Sequence, residues 1–327
     1  MDALLDIRDL KVSFQGESGE VDVLNNTSLS LLNKESLGIV GESGSGKTIL
    51  IKSILGLLEP PWKIHNGQAL FDGVDLIASS EESLTKIRGR DIAVTTPEPR
   101  KHLNPLMTIG NQIANVIRAH NPISKPESLQ NAKELLTKVG IPDPAVRLNS
   151  YPHELSGGMC QRVIIAMALA NSTRVLIADE PTAGLDVTIS RQILDVMRDL
   201  VRDFDSSLIL VSRDLGVVAH YCERVAVMYK GRVLEVADIA SFFEGPGHPY
   251  SRHLILASQA SRDSALSENL STEQRSASST NGCVYYPRCP VSIDRCQSET
   301  PKEEKLSKTH LAACFRSSEV ASGLTLK

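Results

Sequence analysis

Short unbroken apolar runs and helix-spaced apolar residues occupy different parts of this chain, and their alternation divides it. Over residues 1–95, runs such as Leu4–Leu10 and Ser36–Val40 are separated by polar, turn-rich stretches, with one helix expected at about Lys47–Leu57. Runs of this length bounded by turn residues read as strands, which with the one helix predicts an α/β core. From about 97 to 165 the pattern changes. Asn111–His120 and Ser128–Val139 carry apolar residues at helical spacing, punctuated by Pro122, Pro126 and Pro142, so a helical subdomain is expected there. The α/β pattern resumes with a strand at Val175–Ala178, a helix at Ser190–Arg202, a strand at Leu208–Val211 and a hairpin around Tyr229–Arg232. Ser258–Gly282 is rich in serine and poor in large apolar residues, the composition of a flexible linker, and a cysteine-bearing tail follows at 283–327. No internal repeat is visible.

The first chemistry lies just after the run ending at Val40. Gly41, Glu42, Ser43, Gly44, Ser45, Gly46, Lys47 and Thr48 fit the G-x-x-x-x-G-K-[ST] phosphate loop. Glycines let successive N–H groups turn toward a phosphate, and the helix starting near Gly46 adds its positive end. Lys47 is then expected at the β- and γ-oxygens and Thr48 at Mg²⁺. A second site candidate closes the strand Val175–Ala178, where Asp179 and Glu180 follow four apolar residues. Asp179 is placed to orient the metal and Glu180 to polarise an attacking water, the division of labour expected of phosphoryl transfer.

Leu155-Ser156-Gly157-Gly158-Met159-Cys160-Gln161-Arg162 resembles the signature motif of ATP-binding cassette (ABC) proteins, and Asp179–Asp186 resembles their Walker B motif and D-loop. With the phosphate loop, these motifs span most of the first 250 residues in the family's order. Leu103-Asn104-Pro105, Gly247-His248-Pro249-Tyr250 and the cysteine tail further resemble the ATPase subunits of bacterial dipeptide and oligopeptide importers, a group that includes nickel importers. The resemblance implies an ABC-type P-loop NTPase core with antiparallel β and helical subdomains and a Cys-rich C-terminal extension. It assigns residues 1–250 to the nucleotide-binding domain, 97–165 to the helical subdomain, 251–282 to a linker and 283–327 to a metal- or cluster-binding tail. It also implies that Ser156, Gly157, Gly158 and Gln161 grip the ATP of a partner subunit, that Asp186 belongs to the D-loop, and that Phe14 stacks on adenine.

Two positions depart from the family pattern. Pro97 stands where the family has a Mg²⁺-contacting glutamine, with Glu98 beside it as a substitute ligand, and Arg213 stands where it has a switch histidine. Proline lacks an amide to offer, and arginine donates without accepting. These changes lead to the expectation of an own site that binds ATP but turns it over slowly, in an ATPase heterodimer whose other site the intact signature completes.

Composition narrows the remaining classes. The chain has 327 residues, a formal net charge of −4 and no apolar run near the roughly eighteen residues that span a bilayer. No basic patch suggests nucleic acid. The expected location is the cytoplasmic face of a membrane, beneath two permease subunits served indirectly by a substrate-binding protein. Four of the six cysteines, Cys283, Cys289, Cys296 and Cys314, crowd the tail. In a reducing compartment this favours a metal over disulfides, and the resemblance tilts the expectation toward a [4Fe–4S] cluster, with Zn²⁺ as the alternative. His310 reads as a solvated polar residue, or else as a zinc ligand, and Cys160 and Cys222 as core. The resulting expectation is an ATP- and Mg²⁺-dependent ATPase subunit of a peptide importer. The alternatives are a nickel or other small-solute importer, a soluble regulatory cassette ATPase, and a nucleotide-binding structural subunit that never hydrolyses ATP.

Overall fold

A computed structural model describes residues 3–17, 19–260 and 281–324. Its strands in chain order are β1 (Ala3–Gly16), β2 (Gly19–Leu32), β3 (Ser36–Val40), β4 (Trp62–Phe71), β5 (Val74–Asp75), β6 (Ile92–Thr95), β7 (Val175–Asp179), β8 (Ser207–Ser212), β9 (Arg224–Tyr229), β10 (Arg232–Asp238), β11 (Glu304–Lys305) and β12 (Leu311–Ala312). The chain forms two compact units. One gathers Leu31–Ser36 and Ala78–Val211, and the other gathers Ala3–Ser30, Leu37–Ile77 and Ser212–Lys327.

The first, helix-rich unit is built on parallel strands β8, β7 and β6. All five residues of β7 are buried, as a strand covered on both faces must be, which is why its sequence is apolar until Asp179. Helices Ile109–His120 and Lys125–Lys138 bury Ile109, Ile113 and Ile117 from the first and Ala132, Leu135 and Leu136 from the second. Ser124 caps the latter by accepting from the Glu127 N–H, and Pro126 sits in its first turn, where a missing N–H costs nothing. Helices Gly157–Ala168 and Val187–Asp203 complete the unit, capped by Ser156 and Asp186.

The second unit carries an antiparallel sheet in the order β2-β1-β4-β5. It also carries β3, which pairs in parallel with β9, and β9 turns back antiparallel into β10. Beneath these strands lies a core of Val40, Val218, Val225, Val227, Leu234, Phe242, Tyr250 and Tyr285. Tyr250 and Tyr285 come from the stretches flanking the expected linker.

The tail therefore differs from the expected separate extension. β12 pairs antiparallel with β10, placing Ala312 opposite Glu235 and Leu311 opposite Val236, and β11 adds to β12. The cysteine-bearing stretch is part of the second unit's own sheet and core, and no distinct Cys-rich extension is evident among the described residues. The expected linker also begins differently, because Pro249–Ala260 is helical. Its remainder, residues 261–280, lies outside the described residues.

Candidate active site

Gly41–Thr48 leads from β3 into the helix Lys47–Ile54. Gly46 is the residue before that helix and adopts φ of 103°, a left-handed conformation that glycine enters without a Cβ clash. Gly41 is required for a different reason: a Cβ there would meet the Met228 carbonyl oxygen at 2.1 Å. The loop is stitched to its surroundings by the Gly231 N–H, which donates to the Ser45 carbonyl at 2.9 Å. The Gly231 carbonyl in turn accepts from Asn25 N–H and from the Thr27 hydroxyl.

Lys47 is buried, and its ammonium donates to the carbonyls of Gly41 and Glu42 at 2.8 and 2.9 Å and to Ser45 Oγ at 3.2 Å. A positive charge is thus held inside the curl of the loop, while Ser43, Gly44 and Thr48 remain exposed. Phe14, on β1, packs its ring 4.8 Å from that of Trp62 on β4, both in the loop-bearing unit. Sequence reasoning singled out Phe14 and missed Trp62, whose register partner in the sheet is Phe14 itself.

Arg213 lies in the same unit as the loop. It is exposed on a tight turn in which Ser212 Oγ accepts from the Asp214 N–H and Asp214 caps the next helix through the N–H groups of Gly216 and Val217. Arg213 and Gly41 line one cavity of about 690 Å³ together with His220 and Phe243. Arg213 therefore shares a cavity with the start of the phosphate loop.

The other candidates lie in the helix-rich unit. Asp179 is buried at the end of β7, and Glu180 follows with φ of 43°, in the left-handed region that costs a non-glycine residue of order 1 kcal/mol or more. Its N–H donates to the Val211 carbonyl at 3.0 Å, which fixes this strained turn. Ser156 is exposed at the start of its helix, and its Oγ accepts from the Met159 N–H at 3.2 Å. Gly157 and Gly158 follow half-buried, and a Cβ on Gly158 would meet Ile189 at 2.7 Å. Gln161 is 1 % exposed, and its Nε2 has no hydrogen-bond partner among the described residues. Asp186 accepts from the Ile189 N–H at 2.9 Å. Pro97 is half-buried, and Glu98 is exposed in an ion pair with Lys101 at 2.6 Å.

The expected cluster is not supported. Among the described residues, no group of three or more His, Cys, Asp or Glu side chains is arranged to hold a metal ion, which overturns both the [4Fe–4S] and the Zn²⁺ readings. The four tail cysteines line one cavity of about 20 Å³ with Pro249, Val291 and Phe315. Burial in this apolar setting pushes the Cys289 and Cys314 thiols up to about 12 and raises Cys283 as well. His310 is neither solvated nor a ligand: it is buried, and its Nε2–H donates to Glu235 at 2.7 Å. Cys160 is a core residue as expected, and Cys222 packs against the core of the second unit.

No helix among the described residues is long and apolar enough to cross a membrane. Residues 24–183 match the family described as "ABC transporter", and residues 234–296 match "Oligopeptide/dipeptide transporter, C-terminal region". The chain is 42% identical to the oligopeptide transport ATP-binding protein OppD of Bacillus subtilis, over 94% of this chain and 87% of that one. It is 39% identical to the dipeptide transport ATP-binding protein DppD of Escherichia coli, over 95% of this chain and 96% of that one. Among solved structures it resembles the dimeric bacterial ABC transporter cassette MJ0796, with a TM-score of 0.65 at 26% identity, covering 72% of this chain and 98% of that chain.

Proposed function

This chain belongs to the ABC transporter ATPases, and on that premise we propose how its residues divide the work. It is the ATP-binding, energy-coupling subunit of a peptide-import system, an ATP hydrolase coupled to transport within a multi-subunit importer, with the α/β P-loop fold of that family.

In the proposed division, N–H groups of Ser43–Lys47 cradle the β-phosphate and the Lys47 ammonium neutralises the β- and γ-oxygens. Thr48 and Asp179 are each proposed as Mg²⁺ donors, since hydroxyl and carboxylate oxygens are the hard donors it takes, and the ion would supply further charge neutralisation. Glu180 orients the water whose oxygen bonds to the γ-phosphorus as the bond to the bridging oxygen breaks, leaving ADP and inorganic phosphate. Ser156 and the Gly157-Gly158 helix start face the nucleotide of a second ATPase subunit, and Gln161 supports that helix from inside. Residues 1–250 form the cassette, with 97–165 as its helical subdomain; 251–282 connect it to the tail at 283–327. The pair works at the cytoplasmic face beneath two permeases, with a substrate-binding protein engaged indirectly.

Within that pair, this chain contributes the slower site. The observation carrying the reading is Arg213 lining the cavity that begins at Gly41, seconded by Pro97 in place of an amide side chain. Arginine cannot accept a hydrogen bond from water while donating to phosphate, and one mispositioned contact in phosphoryl transfer costs about a hundredfold in rate. In the assembled transporter, Arg213→His is expected to raise turnover at this site by at least about tenfold. Glu180→Gln should change total turnover less than about twofold, whereas the matching change in the partner ATPase should abolish it. An isolated chain that hydrolyses ATP as fast as the assembled complex sinks the reading.

A further inference from the structure

We infer that Arg288, in the cysteine-bearing segment, is a positioning residue for ATP binding that acts on the phosphate loop through Glu42. The inference rests on the reading of Gly41–Thr48 as the phosphate loop. Glu42 is held at each of its polar groups. Its N–H donates to the Tyr250 hydroxyl oxygen at 3.1 Å. Its carboxylate accepts from Arg288 Nη1 at 3.0 Å on one oxygen and 2.9 Å on the other. Its carbonyl accepts from the Lys47 ammonium at 2.9 Å. The residue that anchors the loop's lysine is thus itself anchored by two residues from beyond position 248.

Arg288 is in turn fixed by what surrounds it. Its guanidinium lies 5.8 Å from the Tyr229 ring centre and 5.9 Å from that of Tyr285, within cation–π range. Tyr229, Tyr250 and Tyr285 pack on one another with centroids 4.6–5.4 Å apart. Tyr250 and Tyr285 are fully buried, and with Tyr229 they belong to the core cluster against which the guanidinium packs. Burial and the Glu42 carboxylate act on Arg288 in opposite directions, and hydrogen bonding to Tyr229 and Glu42 keeps it charged. Arg288 and Glu42 line one cavity of about 320 Å³ with Ser43, Gly44, Ser45 and Lys230.

Two physical effects follow from this geometry. Arg288 neutralises a carboxylate that would otherwise stand, unpaired, in a loop built to receive phosphates. It also removes freedom from residue 42, and through the carbonyl of that residue from Lys47, so less order has to be imposed when nucleotide arrives. Both effects act on nucleotide binding and neither touches the attacking water. Loss of Arg288 should therefore raise the Kd and KM for ATP and spare kcat.

The test is a double-mutant cycle on the full chain, titrated with N-methylanthraniloyl-ATP and Mg²⁺, with ATP turnover measured in the assembled transporter. Arg288→Ala is expected to weaken binding about threefold to tenfold, the range of a partly exposed charge-assisted pair, and to leave kcat within about twofold. In a Glu42→Ala background the same substitution should weaken binding less than about twofold, because its partner is gone. Arg288→Lys keeps the charge without the planar fork and should restore part of the affinity; it also carries the test if the alanine variant folds poorly. An unchanged Kd in Arg288→Ala, an equal loss in both backgrounds, or a fall in kcat at unchanged KM overturns the inference while leaving the phosphate-loop reading intact. Failure of the unmodified chain to bind the probe overturns that reading, and the inference with it.

Discussion

Replacing Glu235 with alanine is expected to destabilise the loop-bearing unit by about 4 kcal/mol. The Glu235 side chain is fully buried on β10, and its carboxylate accepts three hydrogen bonds: from Gly247 N–H and His248 N–H, each at 2.8 Å, and from His310 Nε2 at 2.7 Å. Alanine leaves two backbone donors and one ring donor without an acceptor where water does not reach. A single unsatisfied buried donor costs about 1–3 kcal/mol, and removing one partner of a buried, hydrogen-bonded charge costs about 3–5 kcal/mol. These figures describe overlapping losses, so they are not summed. A loss of about 4 kcal/mol is still a large fraction of the 5–15 kcal/mol by which domains are typically stable. Glutamine retains one acceptor oxygen, and about half the loss is expected of Glu235→Gln. Urea unfolding followed by the fluorescence of Trp62, the chain's single tryptophan and a residue of the same unit, reads the change directly. If Glu235→Ala unfolds within about 1 kcal/mol of the unmodified protein at the same urea slope, the three donors have found other acceptors and the reasoning is refuted.

Two further outcomes follow from the same unit. Gly41→Ala should cut ATP affinity by at least about tenfold, because the added methyl meets the Met228 carbonyl and the loop has to shift; nucleotide titration giving the original Kd would rule this out. Burial lowers the His248 imidazole from 6.5 to about 3, so the fold refuses a proton that the unfolded chain accepts. Stability from this group is therefore full above 6.5 and falls as pH drops toward about 3, with a slope on the order of 1 kcal/mol per pH unit. His248→Asn, which keeps an acceptor for the Tyr250 N–H, should flatten the urea midpoint between about pH 7 and about pH 5; an unchanged pH dependence would count against the assignment.

What the chain disclosed in advance was the part encoded locally. The apolar run before Asp179, the glycines of the phosphate loop and the serine opening the signature helix each state their structure within a few residues, because strand burial, turn geometry and capping are short-range. Gln161 shows the limit of that reasoning: a motif position says which residue is present, whereas the helix phase and its neighbours turned the amide inward. The pairing of Arg288 with Glu42 joins positions 246 residues apart, and His310 meets Glu235 across 75. No spacing rule reaches that far. The cysteine tail misled for the opposite reason, since four thiols near one another in sequence satisfy a ligand count while saying nothing about the arrangement that binding requires, and among the described residues no such arrangement is present.

The pairing of β12 with β10 also bears on how this edge of the sheet can meet another chain. An open strand of seven residues such as β10 presents a row of unpaired N–H and C=O groups, which is a template for another chain. Here β12 occupies part of that edge, and the outermost strand, β11, is only two residues long and carries Glu304 and Lys305. So short and charged a border gives a neighbouring copy little to extend along this edge of the sheet.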